Sequence, residues 1–172
     1  MKRFWIFILI AGIAIVAMSA LQYLNRPKVG EAAPPVELSS VAGPVVSLAE
    51  FKGRPVILHF WATFCGACVS EFPSLARLAR AFEPEGLAVV AISEDGPNGM
   101  GDLRSFLRAT EPPFPVLTDL DGRVADTYQS YGVPETFFID KSGIIAKRIN
   151  NSVDWDDEGV RAEVSNFILG KQ

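Results

Sequence analysis

Cysteine and histidine are scarce in this 172-residue chain, which holds two of the first, Cys65 and Cys68, and one of the second, His59. Two cysteines three positions apart cannot staple distant loops, so a disulfide-framed core is excluded. A structural zinc site needs about four ligands. One histidine and two cysteines would need carboxylates to complete that set, and no metal site is expected. Basic residues are also short, with 16 Lys and Arg against 20 Asp and Glu for a net charge of -4. Residues 1–24 hold Lys2, Arg3 and no acid, so the remainder carries 14 against 20, or -6. No basic stripe is left to bind nucleic acid. There is no internal repeat.

Long hydrophobic runs are absent except for one. Residues 4–24 (FWIFILIAGIAIVAMSALQYL) carry no charge and follow Lys2 and Arg3. At about 1.5 Å per helical residue this run spans the roughly 30 Å hydrocarbon core of a bilayer. It reads as a single transmembrane anchor. A cleaved signal peptide is the alternative, since Ala17, Ser19 and Ala20 supply small residues, but its apolar region is usually only about 7–15 residues long. Lys2, Arg3 and the terminal amine on one side against Arg26 and Lys28 on the other give a weak bias for a cytoplasmic N-terminus. The rest of the chain then lies outside, where disulfide chemistry is routine. Residues 25–35, with Pro27, Gly30, Pro34 and Pro35, read as a tether, and residues 36–172 have the length of one domain.

Within that domain the apolar pattern alternates between strand and helix. Residues 36–38 and 45–48 flank a Gly43-Pro44 turn, the mark of a short hairpin. Residues 55–61 (PVILHFW) form a continuous apolar run of strand length, expected to be central and covered on both faces. Leu75, Leu78, Ala79 and Phe82 recur at helical spacing until Pro84 and Gly86 end the helix. Residues 87–93 repeat the buried-strand pattern, and Leu103, Phe106 and Leu107 mark a second helix closed before Pro112 and Pro113. A short strand over 114–117, a helical turn or two over 124–131 and a hairpin of 136–139 with 144–149 follow. Asp154 or Asp156 is expected to cap a final helix bearing Val160, Val164, Phe167 and Ile168. This order predicts an α/β domain, a central mixed sheet flanked by helices with an added N-terminal β-hairpin. The acidic run near the C-terminus reads as a solvated helix start.

The two cysteines fall where a buried strand ends and a helix begins. Cys65 is therefore expected at a helix N-terminus, where unpaired N–H groups and the dipole favour a thiolate and depress its pKa. Cys65-Gly66-Ala67-Cys68 brings the second sulfur one turn along, in reach for reversible exchange.

Three blocks resemble the thioredoxin superfamily, in particular its TlpA, ResA and CcmG (DsbE) group of membrane-anchored or periplasmic oxidoreductases. They are residues 30–52 (GEAAPPVELSSVAGPVVSLAEFK), 60–73 (FWATFCGACVSEFP) and 132–140 (GVPETFFID). The resemblance implies a thioredoxin-like fold in which Cys65 attacks, Cys68 resolves and Trp61 forms a wall beside them. It implies a cis-proline at Pro134 facing the disulfide and leaving the Val133 backbone open to a substrate segment. Phe64, Gly66 and Ala67 would share that substrate surface. Glu71, three residues after Cys68, matches an acid this group places beside its resolving cysteine, implying a proton relay. Glu135 matches an acid of the cytochrome c maturation branch. Departures are His59 where thioredoxin has a buried aspartate, read here as a packed core histidine, Ala67 where thioredoxin has proline, and Phe64 for the commoner tryptophan.

The function implied is a thiol:disulfide oxidoreductase, favoured in the direction of reducing disulfides of exported proteins such as apocytochrome c or copper-site proteins. By the same resemblance, a membrane electron donor of the DsbD or CcdA type would refresh it. No cofactor is expected beyond the Cys65–Cys68 disulfide. A Cu(I) metallochaperone using both thiolates is an alternative, since soft sulfur suits that ion. A peroxiredoxin-like peroxidase is another, although the Pro, Thr and Cys arrangement expected around its cysteine is missing.

Overall fold

The computed structural model describes residues 8, 10, 12, 13, 15–18 and 27–171. The expected membrane anchor falls mostly outside the described residues. Among them no helix is long and apolar enough to cross a membrane.

A hairpin of β1 (Glu37–Ser39) and β2 (Val45–Ser47) precedes the main sheet. The sheet holds β3 (Val56–Trp61), β4 (Ala88–Ser93), β5 (Val116–Thr118), β6 (Glu135–Ile139) and β7 (Ile145–Ile149) in the order β5-β4-β3-β6-β7. β3, β4 and β5 run parallel, β6 runs antiparallel to β3, and β7 runs antiparallel to β6, so the sheet is mixed with β3 at its centre. Every residue of β3 and β4 is buried, as their unbroken apolar runs require.

Helices α1 (Gly66–Phe82), α2 (Met100–Thr110), α3 (Arg123–Tyr128) and α4 (Glu158–Ile168) cover the sheet. Side chains alternate along β3, and its two faces join two cores. Ile57 and Trp61 pack with Phe72 and Leu75 of α1, Leu103 of α2 and Val164 of α4. Leu58 and Phe60 pack with Tyr128 of α3, Phe137 and, from the N-terminal hairpin, Leu38. The first face carries the two cysteines.

Two details differ from the sequence expectations. The tether expected over 25–35 is docked for part of its length: Gly30 and Ala33 donate to the Ile145 and Gly143 carbonyls, and Ile145 N–H donates to Glu31. Its backbone covers β7, an edge strand whose unpaired groups invite a partner. At the other edge, Val41 donates to Val116 and Thr118 Oγ1 donates to the Ser39 carbonyl. The cap of α4 is Asp157, which accepts from Val160 N–H at 3.0 Å. Asp156 is instead drawn to Arg77 at 2.6 Å.

Candidate active site

β3 ends at Trp61, and the chain enters α1 through residues 62–65. Cys65 is the cap of α1, with extended backbone, and its Sγ accepts from Cys68 N–H at 3.2 Å. The two cysteines are joined as a disulfide, with Cα atoms 5.3 Å apart. Cys65 is half-buried and Cys68 fully buried against Phe72 and the first core. An incoming sulfur can therefore reach only Cys65. The helix terminus and the Cys68 N–H would stabilise that sulfur as a thiolate once the disulfide opens.

The backbone opposite comes from the loop before β6. Val133–Pro134 is a cis peptide bond, and the Val133 carbonyl lies 3.6 Å from Cys65 Sγ. Phe64 is 74% exposed beside Cys65, and Gly66 and Ala67 are exposed at the start of α1. Pro134 is buried and Val133 half-buried. Trp61 is a correction: it is fully buried, its ring 4.3 Å from Phe72 and 5.1 Å from Phe106. It supports α1 from beneath and presents no surface to a substrate.

Asp95, which the sequence patterns do not single out, holds the loop that carries Cys65. Its buried carboxylate accepts from Thr63 N–H at 3.0 Å, Thr63 Oγ1 at 2.5 Å and Ser93 Oγ at 2.7 Å. The only sequence cue is its place just past the end of β4. Asp95→Ala leaves the Thr63 donors without their acceptor, and unsatisfied buried groups cost about 1–3 kcal/mol. A loss of that size in urea unfolding at unchanged m value is the expected outcome. An unchanged midpoint would show that the loop is held by other means.

Two acids singled out by the resemblance sit on opposite faces of the sheet. Glu71, one turn beyond Cys68 on α1, is buried. Its Oε2 accepts from Ser152 Oγ at 2.7 Å and Val153 N–H at 2.6 Å. Its Oε1 approaches His59 Nε2 to 3.3 Å, without hydrogen-bond alignment, so neither of these two buried atoms has a hydrogen-bond partner. Burial raises the Glu71 carboxyl above its usual range, against the Val153 and Ser152 hydrogen bonds that pull it down. His59 Nδ1 lies 2.9 Å from Thr136 Oγ1, and burial pushes the imidazole down to about 3. His59 is thus a buried neutral core histidine, as expected, but one in contact with an acid.

Glu135 pairs across the sheet with Phe60 and points to the second core. Its Oε1 accepts from Arg148 Nε at 2.6 Å. Glu94, just after β4, accepts from Ser130 Oγ at 3.0 Å. Its carboxyl is raised by burial, opposed by that hydrogen bond, and raised further by the charges of Asp119 and Glu135.

A disulfide at the N-terminus of a helix, on a mixed sheet, facing a cis-proline loop, defines a thioredoxin-like domain built for thiol–disulfide exchange. The model of the AhpC/TSA family matches residues 29–148, and the chain belongs to that family. It is 32% identical over 154 residues to the thiol-disulfide oxidoreductase ResA of Oceanobacillus iheyensis, covering 87% of this chain and 79% of that one. It is 30% identical over 151 residues to ResA of Bacillus subtilis, covering 83% of each. Among solved structures it is similar to a thiol:disulfide interchange protein DsbE from Chlorobium tepidum. That match has a TM-score of 0.74 at 29% identity and covers 82% of this chain and 98% of the other. The fold and the oxidoreductase class expected from the sequence are those found.

Proposed function

We propose that the domain reduces disulfides in exported proteins, with apocytochrome c or copper-site proteins as substrates. A membrane carrier of the DsbD or CcdA type would return its electrons. Residues 4–24 would hold it on the outer side of the cell membrane. The observation that carries this reading is the asymmetry of the pair, with Cys65 open at a helix cap beside the Val133 backbone and Cys68 sealed behind it.

The steps follow from that asymmetry. A substrate segment lies along Val133, and the Cys65 thiolate attacks its disulfide. One substrate sulfur leaves as a thiolate and a mixed disulfide forms. Cys68 gives its proton to Glu71 and attacks Cys65 Sγ. The Cys65–substrate bond breaks, the second substrate thiolate leaves, and the intramolecular disulfide closes. Two electrons have passed to the substrate. In the return step a donor dithiol reopens the disulfide, and Glu71 gives the proton back to the Cys68 sulfur as it leaves. Glu135, ion-paired to Arg148, anchors the loop that carries Val133 and Pro134.

Equilibration of the full chain in detergent against glutathione tests the direction. A potential of about -200 mV or lower is expected, within the range of reducing and glutaredoxin-like centres. A value near that of a strong oxidant, about -120 mV, would overturn the reductant reading.

A further inference from the structure

The polar atoms around His59 are arranged so that only one place is open to a proton on Glu71. Glu71 Oε2 already accepts from the Val153 N–H, which cannot turn to become an acceptor, and from Ser152 Oγ. A proton on the carboxyl therefore belongs on Oε1. The buried polar atom facing Oε1 is His59 Nε2, at 3.3 Å. The other ring nitrogen faces Thr136 Oγ1 at 2.9 Å, a hydroxyl able both to donate and to accept.

We propose that His59 is a positioning residue for Glu71, and that its ring tautomer follows the charge of that carboxyl. This rests on the reading of Glu71 as the group that takes the proton of Cys68. With Glu71 ionised, the ring proton sits on Nε2 and is donated to Oε1, while Nδ1 accepts from the Thr136 hydroxyl. With Glu71 protonated, Oε1–H donates to Nε2, and the ring proton sits on Nδ1 and is donated to Thr136 Oγ1. A small rotation of either side chain aligns the contact. The pair differs by one proton between the states, and the imidazole carries one throughout. That added proton is the one released by Cys68 as it closes the disulfide, and the one returned when the disulfide is reduced.

The physical gain is that neither protonation state leaves Nε2 or Oε1 unpaired. A buried polar group without a partner costs about 1–3 kcal/mol. A phenylalanine at this position would leave Oε1 facing a hydrocarbon ring in both states. Desolvation keeps the ring neutral, so no imidazolium competes with this exchange. The neighbours add no other charge: β4 brings Ala91, β6 brings Thr136, and the loop before α4 brings Trp155, its ring centroid 6.4 Å away. Cys68 does not titrate while it is in the disulfide.

His59 is the only histidine of the chain, so its nitrogens can be observed without assignment of others. The full-length oxidised chain, labelled with 15N-histidine and held in detergent micelles, is titrated from mildly acidic to mildly alkaline pH. The ring proton is expected on Nδ1 at the acidic end and on Nε2 at the alkaline end, in one transition. In Glu71→Gln the ring is expected to keep one tautomer throughout. A ring proton that stays on one nitrogen across the range in the parent chain overturns the proposal, whether or not the Glu71 carboxyl titrates. So does an imidazolium signature within that range. The reading beneath it fails separately: if Glu71→Gln resolves a stalled mixed disulfide as fast as the parent, Glu71 does not take the Cys68 proton. A loss of about 10²-fold or more is expected there.

Discussion

Cys65→Ser is expected to reduce turnover of a protein disulfide to the uncatalysed background, while Cys68→Ser retains the first half of the reaction and stalls. The two losses differ in kind because the two sulfurs differ in place. Cys65 caps α1 half-exposed, with a backbone N–H already directed at its sulfur, whereas Cys68 is sealed in the core. Serine at position 65 keeps a cap, since its hydroxyl can accept from the same N–H. The fold is therefore expected to survive while the nucleophile is gone. Serine at position 68 leaves Cys65 able to attack and nothing able to resolve. A covalent adduct on Cys65 then accumulates in amounts matching the enzyme, and non-reducing electrophoresis reads it directly. Equal, complete inactivity of both variants with no adduct would mean that attack does not begin at Cys65.

Arg148→Met is expected to destabilise the domain by about 3–5 kcal/mol, the cost of leaving the buried Glu135 charge without its half-buried partner. Arg148 reaches from β7 to Glu135, donates to the Gln129 carbonyl at 3.0 Å, and lies over the Phe137 ring at 5.0 Å. Without it the Glu135 carboxylate is stranded against Phe60 and Phe137. Restoring neutrality separates that cost from lost packing. The double variant Arg148→Met, Glu135→Gln is expected to recover most of the stability in urea unfolding, because no buried charge then lacks a partner. A single-variant loss below about 1 kcal/mol would place the pair with ordinary surface ion pairs. Because Glu135 directly follows Pro134, the same variant is expected to loosen the loop that faces Cys65.

What the sequence made legible was whatever rests on local pattern. The unbroken apolar run of β3, the helical spacing of Leu75, Leu78 and Phe82, and the position of the cysteines between them fix the redox centre within a short stretch. Pro134 could be singled out because it sits in a motif of few residues. The supports of that centre were not legible, because they come from far along the chain. Ser152 and Val153 meet Glu71 from 81 and 82 positions away, and Asp95 meets Thr63 from 32. No periodicity links such pairs. His59 and Glu71 are a strand residue and a helix residue, each explicable alone, and only the packing of α1 on β3 makes them neighbours. Trp61 was misplaced for a related reason. The resemblance sets it beside the cysteines, but the alternation of β3 turns it, with Ile57 and His59, inward under α1. The docked segment around residues 30–33 lacks any strand pattern and is ordered by the bare edge of β7.

Trapping on Cys65 reads out whether that sulfur exchanges disulfides with exported proteins. The full chain carrying Cys68→Ala is produced in cells, thiols are blocked on lysis, and the proteins joined to Cys65 through a disulfide are identified. Exported proteins with paired cysteines, among them cytochrome c precursors or copper-site proteins, are the predicted captures. Finding only cytoplasmic proteins, or none that requires Cys65, would mean that Cys65 does not serve exported substrates.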